Sequence, residues 1–80
     1  MNKPAFFTTD RTVFLIKHRD GFISSTTKNC FHVSEAREDA KKYKSWQAAL
    51  RMARQCNAIE IQQVAADNIH VITRRYEVIA

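Results

Sequence analysis

Between residues 45 and 56 the chain reads SWQAALRMARQC. Its apolar positions Trp46, Ala49, Leu50, Ala53 and Cys56 recur at the three- and four-residue steps of a helix. That spacing predicts one amphipathic helix over Ser45–Cys56 with a single buried stripe. Lys44, Gln47, Arg51 and Arg54 fall on the opposite side, which is polar and basic. Ser45 suits the N-cap, and Asn57 suits the left-handed residue that ends a helix.

The segments on either side follow a shorter period. Arg11–His18 (RTVFLIKH) is apolar and β-branched, Phe22–Val33 is rich in Thr, Ser, Ile and Phe, and Asp20-Gly21 lies between them. Two such runs joined by Asp-Gly predict a hairpin with Asp20 and Gly21 at the centre of a type I′ turn, so that Arg19 opposes Phe22 and Lys17 opposes Ser24. Alternation then puts Phe14, Ile16, Ile23, Phe31 and Val33 on the face that meets the helix. The other face carries Val13, Leu15, Lys17, Arg19, Phe22, Thr26 and Lys28, an apolar centre with a cationic rim.

Ser34 is a candidate N-cap, and Glu35, Glu38 and Asp39 behind it suit the positive end of a helix. A short helix over Glu35–Tyr43 is therefore expected. Ala58–Val64 and Ile69–Ile79 read as two closing strands joined by Ala65–Asn68. The expected order is β-β-α-β-β with an extra helical turn before the main helix. This is a single α+β domain over residues 11–80, an antiparallel sheet on one main helix, behind a loosely held tail at residues 1–10. Phe6 and Phe7 in that tail are candidates to pack on the domain edge.

Composition narrows the function more than it names it. Eighty residues allow one modest core, and 13 Lys+Arg against 8 Asp+Glu leave a net charge of +5. Such an excess favours polyanionic partners: nucleic acid, an anionic membrane surface or an acidic protein patch. The longest apolar run, Val13–Ile16, is far too short to span a bilayer. The opening MNKPAFFTTD lacks the apolar core and cleavage site of a secretory leader. We therefore expect a cytoplasmic protein, with Cys30 and Cys56 as free thiols and Cys56 in the core.

No reaction chemistry is legible. His18, His32, His70, Cys30 and Cys56 lack the paired close spacings of a structural zinc site. Ser24–Thr27 and Cys30 beside His32 offer nucleophiles, but the single glycine is already used in the hairpin and no oxyanion-hole loop is apparent. Helix electrostatics alone account for Glu35, Glu38 and Asp39. We expect no cofactor, no metal and no catalytic residues.

Binding has better candidates. Lys17, Arg19 and Lys28 surround Phe22 on the outer sheet face, a cation-and-aromatic grouping suited to single strands. The same face, apolar with a polar rim, also suits protein docking, or cover by Phe6-Phe7 or by a second copy. Arg51 and Arg54 add charge on the helix. Arg74 and Arg75 fall on opposite faces of the last strand, so only one of them, Arg75, joins the candidate partner-binding set of Lys17, Arg19, Phe22, Lys28, Arg51, Arg54 and Arg75.

The stretch Ser34-Glu35-Ala36-Arg37 … Ala40-Lys41-Lys42-Tyr43-Lys44-Ser45-Trp46-Gln47-Ala48-Ala49-Leu50, with the Asp20-Gly21 hairpin, resembles small phage- and prophage-encoded orphan proteins. The resemblance covers roughly residues 11–64. It implies stoichiometric binding to a host complex, as in anti-CRISPR proteins, and no functional residue carries over from it. Many such inhibitors mimic DNA with acidic surfaces, which this basic chain does not. The leading expectation is a non-enzymatic accessory protein that inhibits a host defence complex by occluding a nucleic-acid or protein site. Its partner would be a host protein or ribonucleoprotein, with no membrane association and self-association left open. The alternative is a small basic RNA- or single-stranded-DNA-binding protein.

Overall fold

The computed structural model of the chain describes residues 12–27 and 30–78. Among these, the elements in order are β1 (Thr12–His18), β2 (Gly21–Thr26), β3 (Phe31–Ser34), a 3-10 turn (Arg37–Asp39), α1 (Trp46–Gln55), β4 (Glu60–Ala65) and β5 (Asn68–Glu77). The strands form one antiparallel sheet in the order β3-β2-β1-β4-β5. This is the expected α+β domain with one main helix. The expected tail at residues 1–10, including Phe6 and Phe7, and the candidate Lys28 lie outside the described residues.

The helix forms for the reasons its sequence announces. The Ser45 side chain accepts a hydrogen bond from the Ala48 amide at 3.3 Å, and Asn57 turns the chain out at φ 57°. Ala49 and Ala53 are fully buried with Cys56 behind them, while Trp46 and Leu50 sit half-buried at the flank. These residues meet Ile16, Ile23 and Ile61 from the sheet in the first of two cores.

Three local expectations are corrected. The first hairpin pairs His18 with Gly21 and Lys17 with Phe22, so its turn is Arg19-Asp20, and neither of those residues has positive φ. Gly21 is required for another reason. It sits at φ 154°, and a Cβ there would lie 2.3 Å from the Ser34 carbonyl oxygen. The new register differs from the expected one by two residues, an even step, so Phe22 and Ile23 keep their expected faces.

Second, the single strand expected over Phe22–Val33 is two strands. β2 ends at Thr26, and β3 returns alongside it with a bulge between Ile23 and Ser25. Phe31 consequently leaves the helix-facing core, is 38% exposed and stacks against the His18 ring at 5.4 Å.

Third, no helix forms over Glu35–Tyr43. Only a 3-10 turn forms, its N-cap position is Ala36 and not the expected Ser34, and no side chain caps it; Ser34 Oγ instead accepts from the Ala36 amide at 3.2 Å and donates to Asp39 Oδ2 at 2.8 Å. Beyond the turn the backbone is taken by the sheet. The Lys41 amide donates to the Ile23 carbonyl at 2.9 Å, and Tyr43 exchanges two backbone bonds with Phe14 at 2.7 and 3.0 Å. Residues 41–43 thus fill the gap where β2 splays away from β1, and sheet bonds replace helical ones.

The outer face of the sheet is also closed. Val13, Leu15, Phe22, Ala40 and Val64 form a second core, joined by Ile69 and Ile72 from β5. Two register shifts in β4–β5, between Gln63 and Ala65, accompany this packing of Ile69 and Ile72. β1 is therefore central and covered on both sides, which is the physical reason its apolar run is continuous rather than alternating.

Candidate interaction surface

The predicted outer-face patch does not assemble as an exposed platform. Phe22 is 6% exposed and lies beneath the Arg37 guanidinium, 4.8 Å from its ring centroid. Arg37 also donates to Gln62 Oε1 at 2.6 Å and to the Ile69 carbonyl at 3.4 Å. Gln62, buried on the same face, passes the chain of bonds on to Glu60 Oε2 at 2.6 Å, and Arg75 Nε lies 3.9 Å from that carboxylate. Lys17 is half-buried, its Nζ donating to the His18 carbonyl at 2.8 Å and lying 5.6 Å from the Phe22 ring. Arg19 is exposed in the hairpin turn. Arg37 is thus the residue that sequence reasoning missed on this face. It was read as part of a helix N-terminus rather than as a cover, and nothing local distinguishes the two.

The remaining candidates, Arg51 and Arg54, are exposed on α1. There the structure brings together groups that the sequence separated. Trp46 lies 4.6 Å from Tyr76 and 5.6 Å from Phe14 between ring centroids, making a half-buried aromatic row across α1, β5 and β1. Arg74 lies 5.9 Å from the Tyr76 centroid, and the Tyr76 hydroxyl donates to Gln63 Oε1 at 3.2 Å. Three adjoining surface depressions follow this row: one between Phe14, Trp46 and Arg74, one between Trp46, Leu50, Arg54, Tyr76 and Val78, and one along Leu50, Arg51 and Arg54. Alternation on β5 was the available signal, since Arg74 and Tyr76 are two residues apart and share a face.

The helix and its flanking residues are cationic. Residues 44–59 contain Lys44, Arg51 and Arg54 and no Asp or Glu. Glu35, Glu38 and Asp39 gather at the 3-10 turn on the far side of the sheet, where Glu38 pairs with His70 at 3.1 Å. The helix flank is consequently a strip of arginines over apolar and aromatic side chains, a composition typical of binding hot spots.

Cys56 is in the core, where burial pushes its thiol above the ordinary value of 9.0, away from reactivity. Burial likewise raises the Tyr43 phenol above its ordinary value of 10.0, with the Thr26 side chain acting in the opposite direction. Cys30 is exposed and, like Cys56, a free thiol. Among the described residues, no three His, Cys, Asp or Glu side chains converge to hold a metal ion, and no helix is long and apolar enough to cross a membrane. Comparison with protein-family models, with curated proteins and with solved structures returned no match.

Proposed function

We propose that this chain is a non-enzymatic binding protein of the phage or prophage accessory type. It acts inside a bacterial host by stoichiometric occlusion of a site on a defence complex. The observation that carries this reading is the helix flank, where arginines lie over apolar and aromatic groups and residues 44–59 hold no Asp or Glu. Burial of Phe22 and half-burial of Lys17 support α1 and the strand beside it as the contact surface over the outer sheet face. Electrostatic complementarity from that side would speed encounter with an acidic target.

Stoichiometry tests this reading. Added to extracts of defence-competent host cells, the chain should co-elute with a host complex at a fixed molar ratio and silence it only at equal or greater amounts. Arg51→Glu with Arg54→Glu should abolish the effect, and Lys17→Glu with Arg19→Glu should leave it intact. Silencing at a small fraction of the target's concentration would indicate turnover and refute a stoichiometric inhibitor.

Arg74 against Tyr76, beside Trp46, supports a second reading, a small basic protein for RNA or single-stranded DNA. It requires binding to generic oligonucleotides that weakens steeply with salt as counterions are released.

A further inference from the structure

We infer that the outer edge of β5, with the groove between it and α1, takes an extended acidic segment of a protein partner as a sixth strand of the sheet. This rests on the binding-protein reading above and specifies its partner's chemistry. β5 is the terminal strand, and among the described residues nothing pairs with its outer edge. Such an edge is a row of unused donors and acceptors, and natural edges are commonly blunted by proline, bulges, charged side chains or brevity; β5 carries only the charges along its regular stretch, and these select the partner. The other edge, β3, is short, at four residues, and lies beside a bulge. β5 runs for ten residues without proline, and its irregularities are confined to the end near Ala65. Arg74, Arg75, Tyr76 and Glu77 pair in unbroken register with Gln63, Gln62, Ile61 and Glu60, so a regular template faces outward.

The groove provides specificity where the backbone provides affinity. It is walled by Trp46, Leu50 and Arg54 from α1 and by Tyr76 and Val78 from β5 and its end. A strand laid beside β5 sends alternate side chains to that side. An apolar one fits against Trp46 and Leu50, and a carboxylate two positions along reaches the arginines Arg54 and Arg74. Glu77, which also borders the groove, is its one carboxylate.

Charge selects among the occupants. The chain's own residues 1–11 hold Lys3 and Arg11 against Asp10 and bring no excess of carboxylates. A second copy would bring two chains of net charge +5 face to face across helices that carry no carboxylate. An acidic strand meets Arg54 and Arg74 on that flank.

The probe is a synthetic nine-residue peptide that repeats valine, threonine and glutamate three times, titrated into the isotope-labelled full chain. Amide shifts should concentrate in 73–78 and at the Trp46 indole. Replacing each glutamate by lysine in the peptide should weaken binding at least about tenfold, and methylating the peptide's backbone nitrogens should abolish it. Arg54→Glu with Arg74→Glu should reverse the preference between the acidic and basic peptides. Equal binding of the methylated peptide, shifts elsewhere on the chain, or tighter binding of an oligothymidylate would each overturn the inference. Hydrogen exchange of the free chain is the second measurement. The β5 amides not bonded to β4 should exchange fast. Slow exchange at every concentration would mean the chain covers its own edge, and slow exchange only at high concentration would mean a second copy does. A host complex captured without any change on Arg54→Glu with Arg74→Glu would refute this site while leaving the stoichiometric-inhibitor reading standing.

Discussion

At Gly21 one missing side chain decides how the first hairpin closes. Its φ of 154° and the Ser34 carbonyl, 2.3 Å from where a Cβ would sit, each exclude a larger residue. Gly21→Ala should therefore cost roughly 2–4 kcal/mol, from backbone strain together with displacement of β3. Asp20→Ala, in a turn position at negative φ, should stay within about 0.5 kcal/mol. Denaturant midpoints of the two variants check this. A type I′ turn centred on Asp20-Gly21 would instead make both substitutions costly. The Asp-Gly pair was legible as a turn signal. The reason for the glycine was not, because it lies thirteen residues away at Ser34 (positions 21 and 34).

Between Ser34 and Ser45 the elements compete for the same backbone. Capping residues and acidic first-turn groups favour a helix over Glu35–Tyr43, and of those preferences only the short 3-10 turn remains, with Glu38 and Asp39 in it. Bonds from Lys41 to Ile23 and between Tyr43 and Phe14 then draw the chain into the sheet, and local propensity yields to pairing partners distant in sequence. What results is a cover held by Arg37. Arg37→Ala should destabilise the chain by about 1–2 kcal/mol, since it removes the donor to buried Gln62 and uncovers Phe22. Arg51→Ala on the exposed helix face should change stability by less than about 0.5 kcal/mol. Equal effects from the two arginine variants in thermal melts would contradict the covering role.

Over the whole molecule, one sheet is shared by two cores. Ile16 belongs to the core under α1 and Leu15 to the core under the 3-10 turn, yet they are neighbours on β1. The cores should therefore unfold together. Leu15→Ala should cost roughly 2–5 kcal/mol. It should lower the midpoint of Trp46 fluorescence, on the opposite face, by the same amount as that of far-ultraviolet ellipticity. Separate midpoints would show that the two layers are independent. The same arrangement places the binding surface: with both sheet faces occupied, the exposed flank of α1 and the edge of β5 are the surfaces that combine charge with apolar area.

The amino-acid sequence by itself determined the main helix with its caps, the antiparallel hairpins on either side, the alternation of side chains across the sheet and the excess of positive charge. These depend on spacings of a few residues, within which periodicity, capping and turn chemistry operate. Tertiary structure alone decided that the outer sheet face is closed, that Arg37 joins Lys17 over Phe22, and that Trp46, Tyr76, Arg54 and Arg74 share one flank. Each of those outcomes depends on which distant backbone groups find one another, because a buried N–H or C=O must be paired wherever its partner lies along the chain.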